Sequence, residues 1–178
     1  MRKRPIHSFK RKTASTLTID NGTDTTTSFE WKLNDLPDYT EFTNLFDSYR
    51  INAIKLEIKP RFNNVDATAP GMVPIYTVID HNDNTYLTST ADALQYETCK
   101  VHKMTQGVKR YLKVNALGSS QTTGGAAIGE QLWRKWFSTS QADILHYGVK
   151  LWAPATSFEE GIVYDVITTY YFQCKAVF

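Results

Sequence analysis

Short runs with apolar side chains at every second position, broken by turn residues and never lengthening into a helical period, constrain this chain more than anything else in it. Residues 50–60, RINAIKLEIKP, are the clearest case: Ile54, Leu56 and Ile58 share one face, Lys55, Glu57 and Lys59 the other, and Pro60 ends the run. Residues 16–20 alternate through Leu17 and Ile19. Asn21-Gly22 follows, a hairpin-turn dipeptide, and then TTTSFEWKL places Phe29, Trp31 and Leu33 on one face. The turn chemistry outweighs the glycosylation sequon that Asn21-Gly22-Thr23 also spells. Residues 72–79, MVPIYTVI, read as a deeply buried strand with Pro74 near its start. Residues 98–104 and 108–114 read as two strands around a Gln106-Gly107 turn, 144–152 as another, and 162–177 as a long final strand.

Helix is scarce. A short one is expected around 39–46, burying Phe42, Leu45 and Phe46, another near 92–96, and a single turn within 130–137. The segment GSSQTTGGAAIG, 118–129, reads as a flexible loop. About eight strands without alternating helices argue against a parallel sheet. The expected fold is all-β, a single eight-stranded antiparallel jelly roll. Extended loops before the long strands suit it better than a meander.

At 178 residues, 42% hydrophobic and 13% aromatic, the chain is sized for one domain with a real core. Its charge is unevenly placed. Residues 1–12, MRKRPIHSFKRK, hold six bases and no acid, leaving 14 bases and 18 acids beyond them. This basic, aperiodic stretch is expected to be a disordered N-terminal arm, with residues 13–178 forming the domain. Cys99 and Cys174 are too few for a disulfide framework and read as small buried apolar residues, with an intrachain bridge as the other possibility. No apolar run reaches the length of a membrane span, and no apolar stretch follows the basic start to make a secretory signal.

Catalytic and metal motifs are not met. The 118–129 glycines lack the Lys-Ser or Lys-Thr of a phosphate loop. Asp80, Asn82 and Asn84 have calcium-loop spacing, but Thr85 and Ala91 stand where Gly and Glu are needed, so a plain turn is expected. His7, His81, His102 and His146 form no metal-binding pairs, and no G-x-S-x-G is present. No enzyme, metal or cofactor is expected.

The positive signal is the arm: Arg2, Lys3, Arg4, Lys10, Arg11 and Lys12. A flexible basic run gains affinity for phosphates by releasing condensed counterions, and needs no fold to do so. A nuclear-import signal or a solvated tail fits the same bases. A second cluster comprises Lys100, Lys103, Lys109, Arg110 and Lys113. Alternation puts Lys109 and Lys113 on one face with Tyr111, a mix of charge and stacking surface suited to nucleic acid, or an ordinary solvated face.

FTNLFDSYRINAIKLEIKP resembles the segment that enters the second sheet of circovirus-type capsid proteins, where an aromatic approach leads into Y-[RK]-I-x-x-[VI]-K-[VL]-x-[FI]-x-P. VIDHND is similar to that family's apolar strand ending in an acidic turn, VHKMTQGVKRYLKV to its paired strands, and HYGVKLWA and VYDVITTYYFQCKAVF to its last two strands. These landmarks occur in the family's order along nearly the whole chain. The resemblance implies a jelly-roll capsid protein that self-assembles into a shell of sixty identical subunits. It also implies a single-stranded DNA genome held by an interior basic arm, and passage through the host's nuclear import machinery, so that the protein resides in the virion and, during assembly, in the host nucleus. It leaves the host attachment receptor unspecified. Tyr39, Tyr86 and Trp152 are candidates for subunit contacts, or for core. The rival readings are a carbohydrate- or cell-surface-binding β-sandwich, a jelly-roll metalloenzyme, and the coat protein of a small RNA satellite virus.

The arm here is short and mixed in Lys and Arg, where the family's is longer and denser in arginine. Sixty copies of six bases are 360 charges; three nucleotides for each of 178 codons are 534 phosphates for this gene alone. Bases on the inner wall, small cations, or both are therefore expected to contribute, with the candidate bases in the Lys100 to Lys113 cluster.

Overall fold

The structure is a computed structural model that describes residues 5–61, 72–121, 127–133, 135–157 and 161–176. Eight strands form two antiparallel four-stranded layers. The first runs β1 (Ile6–Ile19), β11 (Ile162–Lys175), β3 (Ser48–Pro60), β6 (Val108–Leu112) across the sheet; the second runs β2 (Thr25–Trp31), β10 (His146–Ala153), β4 (Pro74–Ile79), β5 (Lys100–Lys103). Apart from β4 and β5, which pair with each other, strands of the two layers that follow one another in the chain alternate between layers, which is the jelly-roll order. A two-residue strand, β9 (Phe137–Ser138), adds to the end of β3, and β7 (Ala116–Gln121) pairs with β8 (Ala127–Trp133) as a separate hairpin.

The alternation on β3 does what its pattern demands. Ile54, Leu56 and Ile58 are buried between the layers against Val108, Leu112, Val166, Tyr164 and, from the second sheet, Trp31, Ile75, Val149 and Leu151. Each such side chain taken fully from water contributes roughly 1.5–3 kcal/mol. Buried tyrosines keep their hydroxyls satisfied: Tyr49 donates to the Gln141 carbonyl at 2.8 Å and Tyr164 to the Met104 carbonyl at 3.2 Å. Burial pushes both phenols above their usual range, and pushes the Cys174 thiol up to about 12. Cys174 is buried and Cys99 half-buried, and both are free thiols.

The outer faces of the two layers differ. That of the second sheet is covered: Val78 and Trp152 pack under Leu87 and under Ala93 of α2 (Thr90–Leu94), with Tyr96 and Cys99 at the margin. On this face Lys150 is almost wholly buried and its Nζ lies 2.7 Å from Asp80 Oδ2 and 2.6 Å from Asp83 Oδ1. The carboxylates of the DHNDN turn thus hold a lysine of this chain. Trp152 is core, Tyr39 half-buried, and Tyr86 exposed.

Several expectations need correction. Residues 6–12 are not disordered: β1 begins at Ile6 and pairs with β11 along its whole length. Phe9 holds it there, with ring centroids 5.1 Å from Phe42, 5.7 Å from Phe46 and 5.5 Å from Phe172. Neither expected hairpin forms. The Asn21-Gly22 and Gln106-Gly107 turns carry the chain from one layer to the other, since β1 and β2, and likewise β5 and β6, lie in different sheets. A positive φ is equally useful at a corner, and both glycines have one. Residues 118–121 and 127–129 belong to β7 and β8 instead of a loop, the 122–126 part of that stretch lies outside the described residues, and residues 130–133 are strand instead of helix. α1 (Tyr39–Leu45) buries Phe42 as expected and Phe46, four residues on, packs against the core, but Leu45 is 70% exposed.

Candidate nucleic-acid interface

The outer face of the first sheet is uncovered among the described residues, and strand register assembles its chemistry. Reading across the strands, one row is Lys12, Thr169, Lys55 and Tyr111; the next toward one end is Lys10, Tyr171 and Ala53; toward the other it is Ala14, Ile167, Glu57 and Lys109. Thr16, Asp165 and Lys59 form a further row. Neighbouring strands lie about 4.8 Å apart, so Lys12 and Tyr111 bracket a surface about 15 Å wide. Lys113 follows β6 and is exposed. Six lysines (10, 12, 55, 59, 109 and 113) therefore share this side with two carboxylates.

Both carboxylates are already engaged. Glu57 receives Lys55 at 2.8 Å and Lys109 at 3.8 Å, and the Lys55 hydrogen bond is the main cause that holds its pKa below the usual value. Asp165 is held by Arg61, whose Nη2 lies 2.6 Å away. Lys10 Nζ sits 5.6 Å from the centre of the Tyr171 ring, and Tyr171 meets Tyr111 edge to face at 6.2 Å. At the end of the face nearest β9, Arg50 and Lys175 lie 4.9 and 4.4 Å from the Trp136 ring, and Arg50 also donates to Gln173 at 2.8 Å. The arrangement can hold a polyanion by many weak phosphate contacts; it offers no nucleophile or base poised for chemistry.

The expected site residues divide. Lys10, Lys12, Lys109 and Lys113 come together on this face. Arg11 has the opposite parity and lies 5.4 Å from the Phe42 ring, so it belongs to the other side of β1. Arg2, Lys3 and Arg4 lie outside the described residues. The Lys100 to Lys113 cluster is not one patch: Lys100 and Lys103 are on β5 of the other sheet, and Arg110 is 3% exposed, donating to the Thr98 carbonyl at 2.6 Å. Lys55, Lys59 and Tyr171 were missed as members. The alternation marked Lys55 and Lys59 as outward, but only the β11 register sets them beside Lys10 and Lys12.

The family model for the circovirus capsid protein matches residues 1–177. The BFDV capsid protein solved as a 60-mer superimposes with a TM-score of 0.75 at 16% identity, covering 99% of this chain and 96% of that one. The decameric form gives 0.67 at 18%, covering 96% and 99%. The capsid of the giant freshwater prawn Macrobrachium rosenbergii nodavirus, from a virus-like particle, gives 0.58 at 8%, covering 99% and 97%. No curated protein sequence matches the chain. With strands in jelly-roll order and a family match that omits only the last residue, this chain belongs to the circovirus capsid protein family.

Proposed function

We propose that this capsid protein closes into an icosahedral shell of sixty subunits and that its lysine face, turned inward, holds a single-stranded DNA genome. The observation that carries the DNA part is the register that gathers Lys10, Lys12, Lys55, Lys59, Lys109 and Lys113 on an uncovered sheet face. Support for the shell is the family match together with the likeness to a BFDV capsid protein solved as a 60-mer. The face also answers the charge deficit of the arm. Four of its lysines lie outside residues 1–12, on β3 and at β6, in the same sheet as the β1 strand that carries the arm. The virion is then the protein's place, with the host nucleus as the site of assembly, where tagged chain should accumulate during expression.

Electron microscopy of the purified protein tests the shell. Uniform icosahedral particles are expected, and a monomer that persists at high concentration and low salt overturns the reading. Reversing charge with Lys109→Glu and Lys113→Glu tests the inward face. The encapsidated nucleic acid, read from the 260/280 nm absorbance ratio of intact particles, should fall. An unchanged ratio in well-formed shells sinks the role of this face.

A further inference from the structure

The lysine face carries one feature that phosphate binding does not require. Tyr111 sits at its β6 edge with 60% of its surface exposed, although a ring of this size gains by burial. Its neighbours are cations: Lys55 lies directly across on β3, Lys109 precedes it by two residues, and Lys113 follows by two. The edge-to-face contact with Tyr171 limits how the Tyr111 ring can turn while leaving much of it open. Trp136, at the far end of the face, is different. Its ring already has Arg50 and Lys175 against it. Tyr86, the other strongly exposed aromatic among the described residues, lies beyond the acidic Asp80–Asp83 turn of the opposite sheet, where a polyanion is disfavoured.

An open ring flanked by lysines at strand spacing, about 7 Å to each side, fits a nucleotide whose base stacks while its phosphates pair. We propose that Tyr111 is a base-stacking platform, so that the face prefers single strands with unpaired bases over duplex. The inference rests on the reading that this face binds DNA. It adds a dependence on the base itself. Lysines recognise phosphates whether or not a base is attached, whereas the ring has nothing to stack on an abasic strand and cannot reach a base inside a duplex.

The test compares full-length protein binding to labelled single-stranded DNA and to an abasic oligonucleotide of equal length, by fluorescence anisotropy across a salt series. The native chain should favour the base-bearing strand by at least about fivefold. Tyr111→Ala should bring that ratio close to one, while the slope of affinity against salt stays as it was, because no phosphate contact is removed. Tyr111→Phe should keep the preference, and Tyr111→Leu, which retains cross-strand packing should Ala unsettle the sheet, should lose it. A preference that survives in both Tyr111→Ala and Tyr111→Leu overturns the stacking role and leaves phosphate binding intact. A native chain that binds neither strand in a salt-dependent way overturns the DNA-binding reading, and the platform with it.

Discussion

Alanine at position 150 is expected to lower stability by about 3–5 kcal/mol, because it removes the partner of a buried carboxylate. Lys150 is 2% exposed and Asp80 8%, and their 2.7 Å contact lies under the 80–96 segment on the second sheet. Asp83, half exposed, takes the same ammonium at 2.6 Å and is itself fixed by the Thr85 N–H at 2.7 Å. Burial works against the charged lysine, but the hydrogen bonds to Asp80 and Asp83 outweigh it and its pKa is raised overall. The Lys150 hydrogen bond is also the largest cause lowering that of Asp83. The pair is therefore worth less than its disruption costs. The triple change Lys150→Met, Asp80→Asn, Asp83→Asn should recover much of the loss, since it leaves no unpaired charge inside. Urea unfolding of unassembled subunits measures both variants; a loss below about 1 kcal/mol in Lys150→Ala refutes the account.

The pH dependence follows from the same shifts. A depressed Asp83 contributes stability above the ordinary aspartate pKa, and that contribution is lost as pH falls toward its lower folded value. A raised Lys150 contributes below the ordinary lysine pKa and is lost only as pH climbs through its higher folded value. The interaction is thus complete across neutral pH and fails at either extreme. In Lys150→Ala the acid limb of the stability curve should be shallower than in the native chain.

Gly107→Ala is expected to cost about 3 kcal/mol or more and to prevent shell formation. Gly107 has φ +66°, and an added Cβ would stand 2.1 Å from the Ile58 carbonyl oxygen and 3.1 Å from Pro60 Cδ. The obstructing atom is backbone of β3, held in the sheet, so relief requires the β5–β6 corner to move as a unit. Left-handed strain adds roughly 1–2 kcal/mol to that overlap. Gly22→Ala separates the two effects. With φ +74° and nothing within 4 Å of the added carbon, it should show the strain alone, roughly 1–2 kcal/mol. Thermal unfolding and particle yield measure both, and equal losses at the two sites would show that the Ile58 contact is not what makes Gly107 necessary.

Much of the fold was legible in the sequence because half-buried strands write their environment at period two. β3, β4, β10 and β11 were located to within a few residues, and the inward set Ile54, Leu56 and Ile58 follows from alternation alone. The two misread turns share one cause: local residues name a turn but not the sheet it leads to. Asn21-Gly22 and Gln106-Gly107 have hairpin chemistry, yet each crosses between layers, and the decision lies with the distant strands β11, β10, β3 and β4 that accept β1, β2, β6 and β5. Phe9 is the same lesson in the arm. One apolar residue among bases carries no period, and only the Phe42, Phe46 and Phe172 rings from elsewhere in the chain turn the segment into strand.

The sequence by itself determined the class: an all-β sandwich with its charge concentrated at the N-terminus, landmarks in capsid order, and no catalytic motif. Only the tertiary structure decided which charges are gathered on one face. Lys10 and Lys12 lie about a hundred residues from Lys109 in the chain, and Lys55 and Lys59 between them read as ordinary outward positions. Hydrogen-bond register across β1, β11, β3 and β6 places them in adjoining rows, turns Arg11 to the other side, buries Arg110, and leaves Tyr111 open among lysines. Which side chains share a face depends on strand pairing over long separations, a property that composition and local alternation do not encode.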